Sequence, residues 1–122
     1  MKTRLVLAAA AALAFSATGA LAQVSPGETL FKQRCGVCHS MQPAPGKMGP
    51  PLAGIVGRKA ASVPGFAYSD ALKKSNVTWT AAKLNEFLGG PAKVIPGTKM
   101  LVSVPNAEQR TQLVAYLASV KK

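Results

Sequence analysis

The chain is poor in the residues from which most metal sites and redox centres are assembled. It has one histidine, His39, and two cysteines, Cys35 and Cys38, among 122 residues. A structural zinc site needs four Cys or His ligands, so one copy of this chain cannot close one. A disulfide between Cys35 and Cys38 would close a very small loop and constrain almost nothing. No strand precedes the two cysteines and no βαβ pattern surrounds them, which removes a thioredoxin-like dithiol. Period-two alternation of useful length, internal repeats and low-complexity tracts are missing too. After the first two dozen residues no stretch is long and apolar enough to cross a bilayer. Acidic residues are the last scarcity. Four Asp and Glu stand against 15 Lys and Arg, for a net charge of +11.

What is present is concentrated in five residues. Cys35-Gly36-Val37-Cys38-His39 is the attachment signal of a c-type haem. Thiols three residues apart can each form a thioether with a haem vinyl group, and the next residue sets an imidazole under the iron as proximal ligand. His39 has no rival for that role.

The N-terminus indicates the compartment. Lys2 and Arg4 form a positive region, Leu5 to Phe15 an apolar one, and Ala20-Leu21-Ala22 a small-x-small cleavage site before Gln23. Residues 1–22 thus read as a secretory signal peptide. The apolar run is too short for a membrane anchor and is followed by Ser16, Thr18 and Gly19. Residues 23–122 are expected to form a single domain in the periplasm of a Gram-negative bacterium. Removing Lys2 and Arg4 lowers the +11 to +9. Such a field steers the protein toward acidic partners. Export, the haem motif and the lack of a nucleic-acid motif argue against nucleic acid, and an anionic membrane surface is at most a weak partner.

Helix signals punctuate the mature segment. Ser25-Pro26-Gly27-Glu28 reads as an N-cap, a proline at the first helical position and a capping box. The helix it starts carries Leu30, Phe31 and Cys35 on one stripe and delivers the haem motif at its C-terminal end. From Ser40 to Gly65 five prolines and several glycines predict ordered loops, with Leu52, Ile55, Val56 and Phe66 free to pack on a haem face. A short helix is expected over Ser69 to Lys74. Thr80 caps a longer one through about Leu88, stopped by Gly89-Gly90-Pro91. Asn106 and Gln109 start the last helix, with Leu113, Tyr116, Leu117 and Val120 at i, i+3, i+4 and i+7. The fold class is all-α: several helices and long ordered loops wrapped around one covalently bound haem.

No second histidine can ligate the distal side of the iron. Met41, Met48 and Met100 are the candidates in the mature chain. An isolated methionine is most often a core filler. Met41 and Met48 lie close to His39 in sequence, whereas Met100 sits in a turn-rich loop, Ile95 to Lys99, about 60 residues away. Spacing favours Met100 without closing the choice.

From Pro26 to Lys122 the chain resembles a class I cytochrome c of the mitochondrial-like soluble bacterial type. The haem motif, Gly49-Pro50-Pro51-Leu52, Gly57-Arg58-Lys59, Pro64-Gly65-Phe66-x-Tyr68, Trp79 and Pro96-Gly97-Thr98-Lys99-Met100 follow in family order at near-family spacing. The resemblance implies haem c bound through Cys35 and Cys38, with His39 and Met100 as axial ligands. It further implies that the Pro50 carbonyl accepts the His39 Nδ1 proton and that Arg58, Tyr68, Trp79 and Thr98 bond or cover the propionates. Gly27, Phe31, Leu113 and Tyr116 match the crossing of the first and last helices. Arg34, Lys47, Lys93 and Lys99 match basic docking positions around the haem edge.

Some positions depart from the family pattern. Phe87 replaces a common tyrosine, Leu72 a common asparagine and Ala92 a lysine, and a basic pair after Met100 is missing. The first two changes imply a drier distal interior. The function implied is one-electron transport by a monomer without substrate turnover. Its partners would be acidic redox proteins such as a membrane oxidase, a cytochrome bc complex or a reaction centre. A dedicated electron-accepting subunit of a periplasmic dehydrogenase is the alternative, and a ligand-binding or catalytic haem a more distant one.

Overall fold

The computed structural model describes residues 9–14, 16 and 23–122. The signal-peptide reading of residues 1–22 falls largely on 1–8, 15 and 17–22, which lie outside the described residues. Among the described residues five helices follow in order: α1 (Pro26–Arg34), α2 (Asp70–Lys74), α3 (Ala81–Gly89), α4 (Pro91–Val94) and α5 (Ala107–Ser119). Among the described residues no strand forms, and the sole β-type pairing is an isolated bridge between Lys59 and Thr78.

Local chemistry explains the helix starts. Ser25, Ser69, Thr80 and Asn106 each cap a helix by accepting from the backbone N–H three residues on, which satisfies a donor with no intrahelical partner. The expected capping box at α1 is only half made. Glu28 sends its carboxylate to Lys32 at 2.8 Å, an i,i+4 ion pair favoured on an exposed helix face. The stop expected at Gly89-Gly90-Pro91 is met, with α3 ending at Gly89 and Gly90 as its C-cap. The short α4 beyond it was not expected; Pro91 occupies its first position, where the missing N–H is harmless and the fixed φ favours a helical turn.

The core lies where α1 and α5 cross and where α3 packs on α5. Leu113 is 1% exposed and Val104 2%, and Phe31, Trp79, Leu84, Phe87 and Leu117 surround them. The crossing is close because Gly27 has no side chain. A Cβ there would overlap the Gln112 carbonyl oxygen of α5 and lie 2.7 Å from Tyr116 Cβ. Phe31 and Tyr116 stack beside it, with ring centroids 5.7 Å apart.

The long segment between α1 and α2 is ordered by backbone hydrogen bonds rather than by regular structure. Gly57 N–H donates to the Trp79 carbonyl at 2.7 Å, Trp79 N–H to that of Arg58 at 2.8 Å, and Ala60 N–H to that of Val77 at 2.8 Å. These bonds fold residues 57–60 against 77–79 and form one wall of an internal cavity.

Candidate functional site

The cavity has a volume of about 480 Å³ and an overwhelmingly apolar lining that includes Leu52, Ile55, Leu84 and Val104. Both cysteines, His39 and Met100 reach it. Their convergence follows from how α1 ends. Cys35 is the C-cap of the helix and donates its N–H to Phe31 O. Cys38 and His39 both donate their N–H to the Cys35 carbonyl, at 3.1 and 2.9 Å. This extra turn carries the two thiols and the imidazole to the cavity wall. The thiols are not joined to each other. Burial pushes the Cys35 thiol above its ordinary value, with Arg34 pulling the other way.

The imidazole of His39 is held on two sides. Its Nδ1 lies 2.8 Å from the Pro50 carbonyl oxygen and donates to it, leaving Nε2 free as a ligand atom. Gly49 runs along the ring so closely that a Cβ on it would overlap Cε1 and lie 2.5 Å from Nδ1. The Gly49 N–H is tied at 2.8 Å to the Cys38 carbonyl. Burial drives the imidazole pKa below its ordinary 6.5, outweighing the upward pull of the Pro50 carbonyl.

The methionines separate. Met100 is half-buried, packs against the core and lines the cavity; its N–H donates to Thr98 Oγ1 at 3.3 Å. Met41 packs on the core but does not reach the cavity, and Met48 stands 80% exposed at its mouth, beside Gly49.

Arg58, Tyr68, Trp79 and Thr98 share the lining. The Arg58 guanidinium donates to the carbonyls of Pro51 at 2.9 Å and Ala53 at 3.3 Å. Among the described residues no carboxylate pairs with it, and burial lowers its pKa. The Tyr68 hydroxyl accepts from Val63 N–H at 3.0 Å, which leaves its own proton to donate. Trp79 and Thr98 are buried. A half-buried cation without an anion, beside further donors, is a setting for carboxylate groups brought by a ligand. Two thiols, one imidazole, one thioether and this donor set in one apolar cavity fit an iron porphyrin bearing two propionates.

The basic positions behave unequally. Lys93 and Lys99 are exposed. Lys47 spends its ammonium on the Gly36 carbonyl at 2.7 Å, bracing the loop inside the haem motif. Arg34 donates to Gln109 Oε1 and to the Ser103 carbonyl, both at 3.4 Å. Phe87 stacks edge-on against Trp79 with centroids 4.9 Å apart, and Leu72 lines the cavity, so apolar groups occupy both departed positions. Sequence reading passed over Ala61, which lines the cavity at a φ of 56°, and Arg110, whose bonds to the backbone after Met100 leave no motif.

A helical shell with a haem-attachment turn and a thioether facing one apolar cavity defines a small c-type haem protein. Comparison with known proteins agrees. A cytochrome c family model matches residues 24–121, and the chain belongs to the cytochrome c family, whose members are electron carriers with haem c. It is 43% identical over 123 aligned residues to cytochrome c2 of Rhodomicrobium vannielii, covering 98% of this chain and 97% of that one. It is 46% identical over 108 residues to cytochrome c2 of Blastochloris viridis, covering 86% and 84%. Among solved structures, cytochrome cH from Methylobacterium extorquens aligns with a TM-score of 0.71 at 40% identity, covering 77% of this chain and 95% of that one.

Proposed function

We propose that this protein is an exported, periplasmic one-electron carrier whose haem is bonded to Cys35 and Cys38 and ligated by His39 and Met100. The observation that carries the reading is the gathering of those four side chains around one cavity from two distant parts of the chain. Bound there, the haem supplies reversible one-electron chemistry between ferric and ferrous iron. The chain holds and tunes it. Pro50 keeps Nδ1 protonated and so fixes which imidazole nitrogen faces the iron and how basic it is. Met100 would supply its thioether sulfur to the iron, which would favour the reduced state relative to harder ligands and leave no open site for oxygen chemistry.

Arg58, Tyr68, Trp79 and Thr98 receive the propionates, and the apolar groups at Phe87 and Leu72 keep water from the distal side. Residues 1–22 serve as a cleaved signal peptide; the alignment to the Rhodomicrobium relative runs through this segment as well. The mature domain, 23–122, docks with acidic membrane redox complexes through the exposed Lys93 and Lys99. Arg34 and Lys47 add to the local field while holding backbone carbonyls.

Denaturing gel electrophoresis with haem staining tests the attachment. Wild-type protein should keep its haem on the unfolded chain, and the double variant Cys35→Ser, Cys38→Ser should lose it. Haem released from wild-type protein by denaturation would overturn the proposal.

A further inference from the structure

We propose that Arg110 is the positioning residue that holds the Met100 segment closed over the cavity. The inference rests on Met100 being the distal ligand. Between α4 and α5 the chain has no regular structure, and the two residues after Met100 are loosely kept: Leu101 is 75% exposed and Val102 52%. Upstream, the segment is fixed by Thr98, whose N–H donates to the Ile95 carbonyl at 3.0 Å and whose Oγ1 accepts from Met100. Downstream, the first firm point is Val104, buried to 2% and donating its N–H to the Leu88 carbonyl of α3 at 2.7 Å.

Arg110 secures that point. From α5 its Nη1 donates to the carbonyls of Val104 at 2.9 Å and Pro105 at 2.8 Å, while Nε donates to Asn85 Oδ1 of α3 at 3.2 Å. The guanidinium lies against the last residue of α3, 3.6 Å from where a Gly89 Cβ would sit. One planar group therefore ties α3, α5 and the far end of the Met100 segment together. Charge-assisted bonds of this length are strong, and a lysine ammonium lacks the fork that spans three such acceptors. Arg34 also touches the segment, at Ser103, but its contacts are longer, 3.4 Å, and exposed. Arg110 dominates on both length and burial.

An exogenous ligand can bind the iron only when Met100 has swung away, so its apparent affinity reports the open fraction. Imidazole titration of the ferric holoprotein, followed in the Soret band, measures this for wild type, Arg110→Lys, Asn85→Ala and Arg34→Gln, with melting curves to keep every measurement below unfolding. Arg110→Lys should bind imidazole at least about tenfold more tightly than wild type, the loss expected when charged hydrogen bonds go. Asn85→Ala should fall between, and Arg34→Gln should change less than about threefold.

A folded Arg110→Lys protein with wild-type imidazole affinity overturns the proposal. So do affinities that follow melting temperature alone across all three variants, because they mark general loosening. Wild-type protein that binds imidazole as tightly as Met100→Ala refutes the Met100 ligation reading itself, and is recognised before any arginine variant is made.

Discussion

Gly49→Ala concentrates the steric argument of the site into one methyl group. The added carbon would overlap Cε1 of His39 and stand 2.5 Å from Nδ1 and 2.8 Å from Nε2. The ring cannot simply retreat, since its Nδ1 is bonded to Pro50 and its backbone N–H to Cys35. The glycine cannot retreat either without stretching its own 2.8 Å bond to Cys38. One of two bonds must yield. Each is worth about 1 kcal/mol net, and overpacking adds about 1–3 kcal/mol, so a destabilisation of roughly 2–4 kcal/mol follows.

With His39 ligating the iron as proposed, the bond to Pro50 would make the imidazole a better donor to ferric iron, so weakening it should raise the reduction potential. A differential effect of about 1 kcal/mol corresponds to roughly 40 mV for one electron. Denaturant titration and spectroelectrochemistry measure the two effects on the same sample. A variant with wild-type stability and a potential within about 10 mV of wild type would refute the claim that this glycine is reserved for the ring.

Four further outcomes are expected. Gly27→Val forces α1 away from the Gln112 carbonyl and should lower the melting temperature by about 10 °C or more, whereas Gly89→Ala, whose Cβ meets only ordinary contacts, should not; equal melting of both variants counts against the crossing. Ala61 holds a φ of 56°, where an L side chain is strained, so Ala61→Gly should stabilise the protein by about 1 kcal/mol in denaturant titration, and a loss of stability would contradict that. Burial holds His39 below its ordinary pKa, so the folded state binds fewer protons than the unfolded one; stability from this group is full above about pH 6.5 and is lost as pH falls, an iron bond acting in the same direction. The melting temperature should therefore decline from pH 7 to acid, and a rise would contradict it. Lys93→Gln with Lys99→Gln should slow electron transfer to an acidic oxidase several-fold at low salt and little at high salt, by stopped-flow; unchanged low-salt rates would place docking elsewhere.

Much of the fold was legible because its helices begin with strong local signals. Ser25, Ser69, Thr80 and Asn106 each have side chains that compete for backbone donors, and all four cap helices. The short α4 was not legible because a proline that follows a helix stop can also open a new helix, and only the backbone path distinguishes these. At the site, the haem motif is contiguous and so readable from spacing. The order within the docking set was not. Lys47 and Arg34 look like free charges in sequence, yet each finds a backbone carbonyl once the chain folds. Arg110 is silent in sequence for much the same reason: two of its three acceptors are main-chain oxygens, which carry no residue identity, and the third, Asn85 Oδ1, lies 25 residues away.

The central claim is a closed haem between His39 and Met100 that passes single electrons. Visible spectra of the purified holoprotein, oxidised and reduced, before and after carbon monoxide, test it most directly. A low-spin c-type spectrum that the gas leaves unchanged is expected. A reduced spectrum shifted by carbon monoxide would contradict it, because the sixth position would then be open to an outside ligand.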